Sequence, residues 1–309
     1  MKSKSLKLHI FALCAVYFLS GALISLPKPL ESSNSLLSLL LAAVISFFFA
    51  FIITLAFKRL KNKNLSKYPI MAFYIIISLG AVFDAAVMFR ELLKFVHIIM
   101  MPTVSLWLCA LLLIISAFWM TANKISAVLK FSVFLFAVTF ICFAVLFLMC
   151  FKQMHFYNLG PLKNIEPPPF LKETLFYILK IFLPLILLFC FVYNLEDENK
   201  KYKYGSLGVL TGFVFTVLTV FQITSVFSES FTAKVQFPYA AVISTVSAGN
   251  IFTRMDFAAY FIFFAVFILR AGTDLKLITL LLKKTGFKQK SALCLTAALA
   301  LITAVVALF

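Results

Sequence analysis

Nine apolar runs, each about as long as a bilayer is thick, take up most of this chain. They fall at residues 8–27, 36–57, 70–93, 102–120, 125–151, 172–194, 206–228, 255–282 and 290–309. A helix needs about 20 mostly apolar residues to cross the hydrocarbon core. Backbone polar groups in lipid must be satisfied within the segment, so runs of this length are helices rather than tilted barrel strands. Composition agrees: 63% of the 309 residues are hydrophobic and 13% charged, against about 45–50% and 25% in soluble domains. The sequence therefore predicts an all-α polytopic membrane protein, a single transmembrane domain over residues 1–309. The first run has a basic start (Lys2, Lys4, Lys7) but leads into Pro27-Lys28-Pro29 rather than a small-residue cleavage site. It reads as a retained first span.

The charges orient the spans. A net charge of +17 on a soluble protein would suggest nucleic acid; on a polytopic one it reads as positive-inside bias and attraction to anionic lipid. With the N-terminus in the cytoplasm, the inside segments hold sixteen Lys and Arg and the outside segments seven. Nine spans then put the C-terminus outside. Two outside connections are long. Residues 152–171 contain Asn158-Leu159-Gly160-Pro161 and Pro167-Pro168-Pro169, which force turns and extended chain. Residues 229–253 are too polar to span comfortably and read as a helix at the outer interface or wedged between spans.

No catalytic constellation is visible. His9, His97 and His155 share no metal-ligand spacing, and the six cysteines (Cys14, Cys109, Cys142, Cys150, Cys190, Cys294) form no CxxC. The expectation is no enzyme, no metal and no cofactor. Polar groups inside spans are costly and mark function by default. The first span carries Ser20, Gly21 and Ala22, then Ile24 and Pro27. These small residues permit either a locally unwound helix lining a site or simple close packing. The sixth span puts Tyr177, Lys180 and Pro184 on one face, and Pro184 is expected to kink or break it. Lys180 either lines a site or snorkels to the outer interface. Asp84 is the acid deepest in the third span; it pairs with Lys180, reads a ligand amine or bridges to Arg90. Arg270 and Asp274, four apart, are expected to pair with each other near the cytoplasmic end as structural residues. Ser20, Gly21, Ala22, Ile24, Asp84, Tyr177, Lys180 and Pro184 are thus the candidate ligand-binding residues.

The stretch Phe237-Pro238, Ile243-Ser244 and Gly249-Asn250-Ile251-Phe252-Thr253-Arg254-Met255-Asp256 resembles the signature region of the spore-germination permeases. These are the B-type membrane subunits of nutrient germinant receptors. Gly21 with Leu26-Pro27, Arg90-Glu91, Pro102 and Asn158-Leu159-Gly160-Pro161 follow in the family's order. The resemblance covers nearly the whole chain, through weak signals in sequence. It departs in three places. One residue fewer separates Phe252 from Arg254, Thr121-Ala122-Asn123 stands where the family has a Gly, and nine spans are counted against ten. The last point means either a shortened member or two spans merged in the count.

The family is similar to the amino acid–polyamine–organocation superfamily. The resemblance therefore implies a LeuT-like inverted-repeat bundle with a ligand pocket between spans one, three, six and eight. It also implies two partner subunits, a larger membrane protein and a lipoprotein. Phe237, Pro238, Arg254 and Asp256 are expected to anchor the outer segment or dock a partner. The leading expectation is a germinant-receptor subunit in a bacterial membrane, the spore inner membrane if it acts there. It would bind a small nutrient, such as an amino acid. Two alternatives are a secondary amino acid or amine transporter of the same fold and a scaffold subunit that transports nothing.

Overall fold

The computed structural model describes residues 3–24, 35–62, 67–100, 102–155, 158, 167–195, 201–227, 234–245 and 255–308. Among these residues there are helices and turns and no strand. A helix stands over each of the nine apolar runs. In chain order they are α1 (Ser3–Ile24), α2 (Ser35–Asn62), α3 (Lys67–Phe95), α4 (Leu106–Ala122), α5 (Ile125–Cys150), α6 (Pro167–Asn194) and α7 (Lys201–Val226). After the short α8 (Pro238–Thr245) come α9 (Met255–Lys284) and α10 (Gln289–Leu308). A π turn, Val96–Met100, extends α3.

The surface is the inverse of a soluble protein's. Val44, Trp119 and Leu148 are 67%, 69% and 72% exposed, and large apolar side chains point outward along the helices. Contiguous apolar surface on this scale needs a lipid solvent. Four stretches are long and apolar enough to cross a membrane on their own: Met71–Met100, Ile125–Gln153, Phe170–Asn194 and Lys203–Val226. The centre of α9 is less apolar because Arg270, Asp274 and Lys276 lie there, all buried.

Inside, the hydroxyls of Thr216, Thr224, Thr273 and Thr279 donate to the carbonyl four residues back. Each satisfies itself without a partner helix. Thr279 also meets Thr296 at 3.1 Å, tying α9 to α10. The turn between those two helices is set by Gly286 at φ +103. Gly286 N–H donates to the Lys283 carbonyl, and Phe287 N–H reaches back to that of Leu282. This is the Schellman ending, which needs a left-handed residue that glycine supplies without strain.

The packing repeats. α1 packs chiefly on α7, and α2 chiefly on α6. α4 packs on α9 and α3 on α10, while α3 also meets α9 and α4 meets α10. Exchanging α1 with α6, α2 with α7, α3 with α9 and α4 with α10 maps this pattern onto itself. Among the described helices that span an apolar run, α5 is left without a counterpart.

The α1–α7 contact is the tightest. A Cβ on Gly208 would lie 2.3 Å from the Phe11 carbonyl oxygen, and one on Gly212 would lie 2.8 Å from that of Ala15. Small residues one turn apart let two backbones approach when no hydrophobic effect drives helices together in lipid.

Neither α1 nor α6 is interrupted at the positions that permitted a break. α1 continues through Ser20, Gly21 and Ala22 to Ile24, and α6 runs unbroken through Pro184. A proline inside a membrane helix is tolerated when neighbours and local adjustments satisfy the freed groups. Pro184 lies in the buried part of α6.

The segment over residues 229–253 is seen in part. Pro238 opens α8, where its missing N–H costs nothing. Phe237, Tyr239, Val242 and Ile243 are buried, and Phe237 sits edge-on to Phe95 at 5.4 Å. Residues 229–233 and 246–254, including Gly249, Asn250, Phe252 and Arg254, lie outside the described residues, as do Leu26 and Pro27.

A buried charge cluster as candidate functional site

Five side chains from three helices meet at the middle of the bundle. Tyr17 and Ser20 lie one turn apart on α1, Asp84 lies on α3, and Arg270 and Asp274 lie one turn apart on α9. Tyr17 and Ser20 are 0% exposed, and Asp84, Arg270 and Asp274 are 5%, 2% and 1% exposed. Arg270 Nη2 donates to both Asp84 oxygens, at 2.8 Å to Oδ1 and 3.0 Å to Oδ2, and Nε donates to Oδ2 at 3.1 Å. This forked geometry is the strongest that arginine and carboxylate make. Arg270 Nη1 reaches Ser20 Oγ at 3.4 Å, and the guanidinium carbon lies 5.1 Å from the Tyr17 ring centre. That is cation–π range.

The Tyr17 hydroxyl donates to Asp274 Oδ1 at 2.6 Å and lies 3.5 Å from Asp84 Oδ2. Asp274 Oδ2 is buried and has no hydrogen-bond partner. The cluster therefore brings two carboxylates to one guanidinium.

This corrects three expectations. Asp84 pairs with Arg270, and with neither Lys180 nor Arg90. Arg270 does not pair with Asp274, because the turn of α9 turns both toward α1 and α3, where better partners stand. Arg270 is at the midpoint of Met255–Lys284. The signal for this was available in the run 255–282, whose centre is its most polar part. Tyr17 was missed because a lone tyrosine in an apolar run carries no spacing cue; its cue is Ser20, three residues on and on the same face.

Of the expected ligand residues, the structure brings Ser20 and Asp84 together. Gly21, Ala22 and Ile24 continue α1 just beyond, though their side chains lie outside the described residues, as does that of Asp256. Tyr177 belongs to a separate polar group on α6, where its hydroxyl donates to Glu173 Oε1 at 3.4 Å. Glu173 is fully buried. Lys180 lies over the Phe176 ring, 4.3 Å from its centre.

Two further buried cations or amides went unread in the sequence. Lys276 Nζ donates to the carbonyls of Thr121 and Asn123, closing the C-terminus of α4 where its carbonyls lack partners. Gln222 is fully buried on α7 with neither amide atom paired. A cavity of about 330 Å³ between α1, α2, α6 and α7 is lined by Phe18, Phe47, Phe213 and other apolar side chains. It offers a zwitterion nothing to pair with. Among the described residues, no group of three His, Cys, Asp or Glu could hold a metal ion.

Long apolar helices around a buried ionic cluster make this an integral membrane protein, all-helical in its described residues. A search of curated proteins finds no match. The family model described as "Spore germination protein" matches residues 6–309, and the chain belongs to that family.

Proposed function

We propose that this protein is the permease-like subunit of a nutrient germinant receptor, binding a small nutrient and passing the signal to partner subunits. Family membership along residues 6–309 carries this reading. The cluster between α1, α3 and α9 is its candidate ligand locus. An α-amino acid presents one carboxylate and one ammonium; the cluster offers a guanidinium and two carboxylates. The self-mapping packing supports a LeuT-like inverted repeat, with α1, α3, α6 and α9 as spans one, three, six and eight. On this reading the nine long helices all cross the membrane, with the N-terminus cytoplasmic and the C-terminus outside. No reaction is catalysed. A larger membrane subunit and a lipoprotein are the proposed partners, and in a spore the site is the inner membrane.

The test is thermal unfolding of the purified chain against a panel of amino acids and sugars. An amino acid should raise the melting temperature, and Asp84→Asn should abolish the shift. If no compound shifts it, and deletion of the gene leaves germination to every nutrient unchanged, the reading fails. The mid-bundle charges also favour a second reading, since such residues mark ion pathways. Gradient-driven uptake of labelled amino acid into proteoliposomes would assign a secondary transporter. Full function in Asp84→Ala and Lys180→Ala variants would assign a scaffold.

A further inference from the structure

The charges at the centre of the bundle do not balance. Arg270 makes three hydrogen bonds to the two Asp84 oxygens, and that pair is neutral as a unit. Asp274 brings a second carboxylate with one hydrogen bond, from Tyr17, and one buried oxygen without a hydrogen-bond partner. An ionised carboxylate in this position is a buried charge without a counterion, which proteins avoid by neutralising the group. Among the described residues, no cation makes a hydrogen bond or ion pair with Asp274. Lys276, two residues on, is committed to the end of α4. Facing Asp274 are Tyr17 from α1, Asp84 from α3 and Arg270 from its own helix. α4 has no charged side chain. The charged groups of the other helices packed on α9 are Lys130, Lys172, Glu173, Lys180 and Lys290, and none makes a hydrogen bond or ion pair with Asp274.

We propose that Asp274 is a proton-binding site: it holds one proton, shared with the Tyr17 hydroxyl. The geometry fits a proton better than a larger cation. The free oxygen is fully enclosed, and sodium needs several oxygen ligands around it, whereas those of Asp84 are already taken. Binding is simple to balance. A proton from water forms an O–H bond on Asp274 Oδ1, no electrons are exchanged, and the cluster goes from one negative charge to none. Oδ1–H then donates to the Tyr17 oxygen across the 2.6 Å contact. This frees the Tyr17 hydroxyl to turn toward Asp84 Oδ2, 3.5 Å away. The Asp274 and Tyr17 hydroxyl hydrogens then both have an acceptor, and Oδ2 is left as an uncharged carbonyl oxygen. Loss of the proton reverses the Tyr17 hydroxyl and leaves two carboxylates against the one guanidinium, which is bonded to Asp84. Tyr17 thus reports the protonation of α9 to α3.

The inference deepens the reading of this cluster as the functional site, yet its test uses no nutrient, so the two fail separately. Infrared spectra of the full chain in lipid vesicles, taken across pH, should show a carboxylic acid C=O band at neutral pH. The band should shift when aspartate is carbon-13 labelled. It should be absent in Asp274→Asn, and it should move in frequency in Tyr17→Phe while persisting. The labelled unmutated protein decides the matter even if a variant fails to fold: with no label-sensitive acid band at neutral pH, the proposal is overturned. It is also overturned if the band survives Asp274→Asn. A third way is sodium chloride, but not choline chloride at the same pH and ionic strength, stabilising the wild type and not Asp274→Asn. That outcome assigns the position to sodium.

Discussion

Arg270 directs three nitrogens at Asp84 and Ser20 and lays its plane near Tyr17, so its energetics are those of a pair rather than of a single residue. Removing one partner of a buried ion pair leaves an uncompensated charge, at a cost of about 3–5 kcal/mol, whereas replacing both with apolar groups is often close to neutral. Arg270→Met and Asp84→Leu alone should therefore each destabilise strongly, and the double variant should recover most of the loss. Thermal unfolding of the four proteins in one detergent measures this, and strictly additive losses would contradict the pairing. Lys276→Met should cost about 1–2 kcal/mol by stripping the last carbonyls of α4 of their cation, again read as a lowered melting temperature. At this scale the sequence was half legible. Asp84 stood out as an acid deep in an apolar run. Its partner did not, because Arg270 is 186 residues away and no local spacing encodes such a contact. Lys276 was unreadable for the same reason, since its acceptors are backbone carbonyls.

At the scale of helices, the glycines of α7 give the sharpest contrast. Gly208→Ala would place a methyl group 2.3 Å from the Phe11 carbonyl oxygen, against backbone that cannot step aside. Overpacking of this kind costs about 1–3 kcal/mol. A Cβ on Gly205 meets its nearest neighbours at 3.7 Å, and Gly205→Ala should be neutral or slightly stabilising, since Ala is the better helix former. Melting temperatures of the two variants test the pair, and equal effects would refute the close approach. The helices were legible throughout because a 20-residue apolar run has few other structures open to it in lipid. Their internal breaks were not. Proline and small residues at Pro184 and Ser20-Gly21 allow an interruption without requiring one, and surrounding helices decide. Part of the segment over residues 229–253 shows the same limit: its polarity argued against a span, but the burial of Tyr239 and Ile243 depends on helices far off in the chain.

For the whole molecule, the proposed orientation is testable by accessibility. With the six native cysteines replaced, a cysteine at Lys288 should react with a membrane-impermeant thiol reagent only from the cytoplasmic side, and one at Lys234 only from outside. Both positions are exposed. Labelling from the opposite sides would invert the topology. The pairing of Asp84 with Arg270 also has a consequence for how the chain is made. Ribosomes add roughly 5–20 residues each second, so α3 enters the membrane roughly 10–40 s before the arginine that neutralises its carboxylate exists. Through that interval the nascent protein carries an acid in lipid with no counterion, a hazard that ends only when α9 arrives. A chain truncated before α9 is thus predicted to be a substrate for membrane quality control, however well α1 to α8 pack.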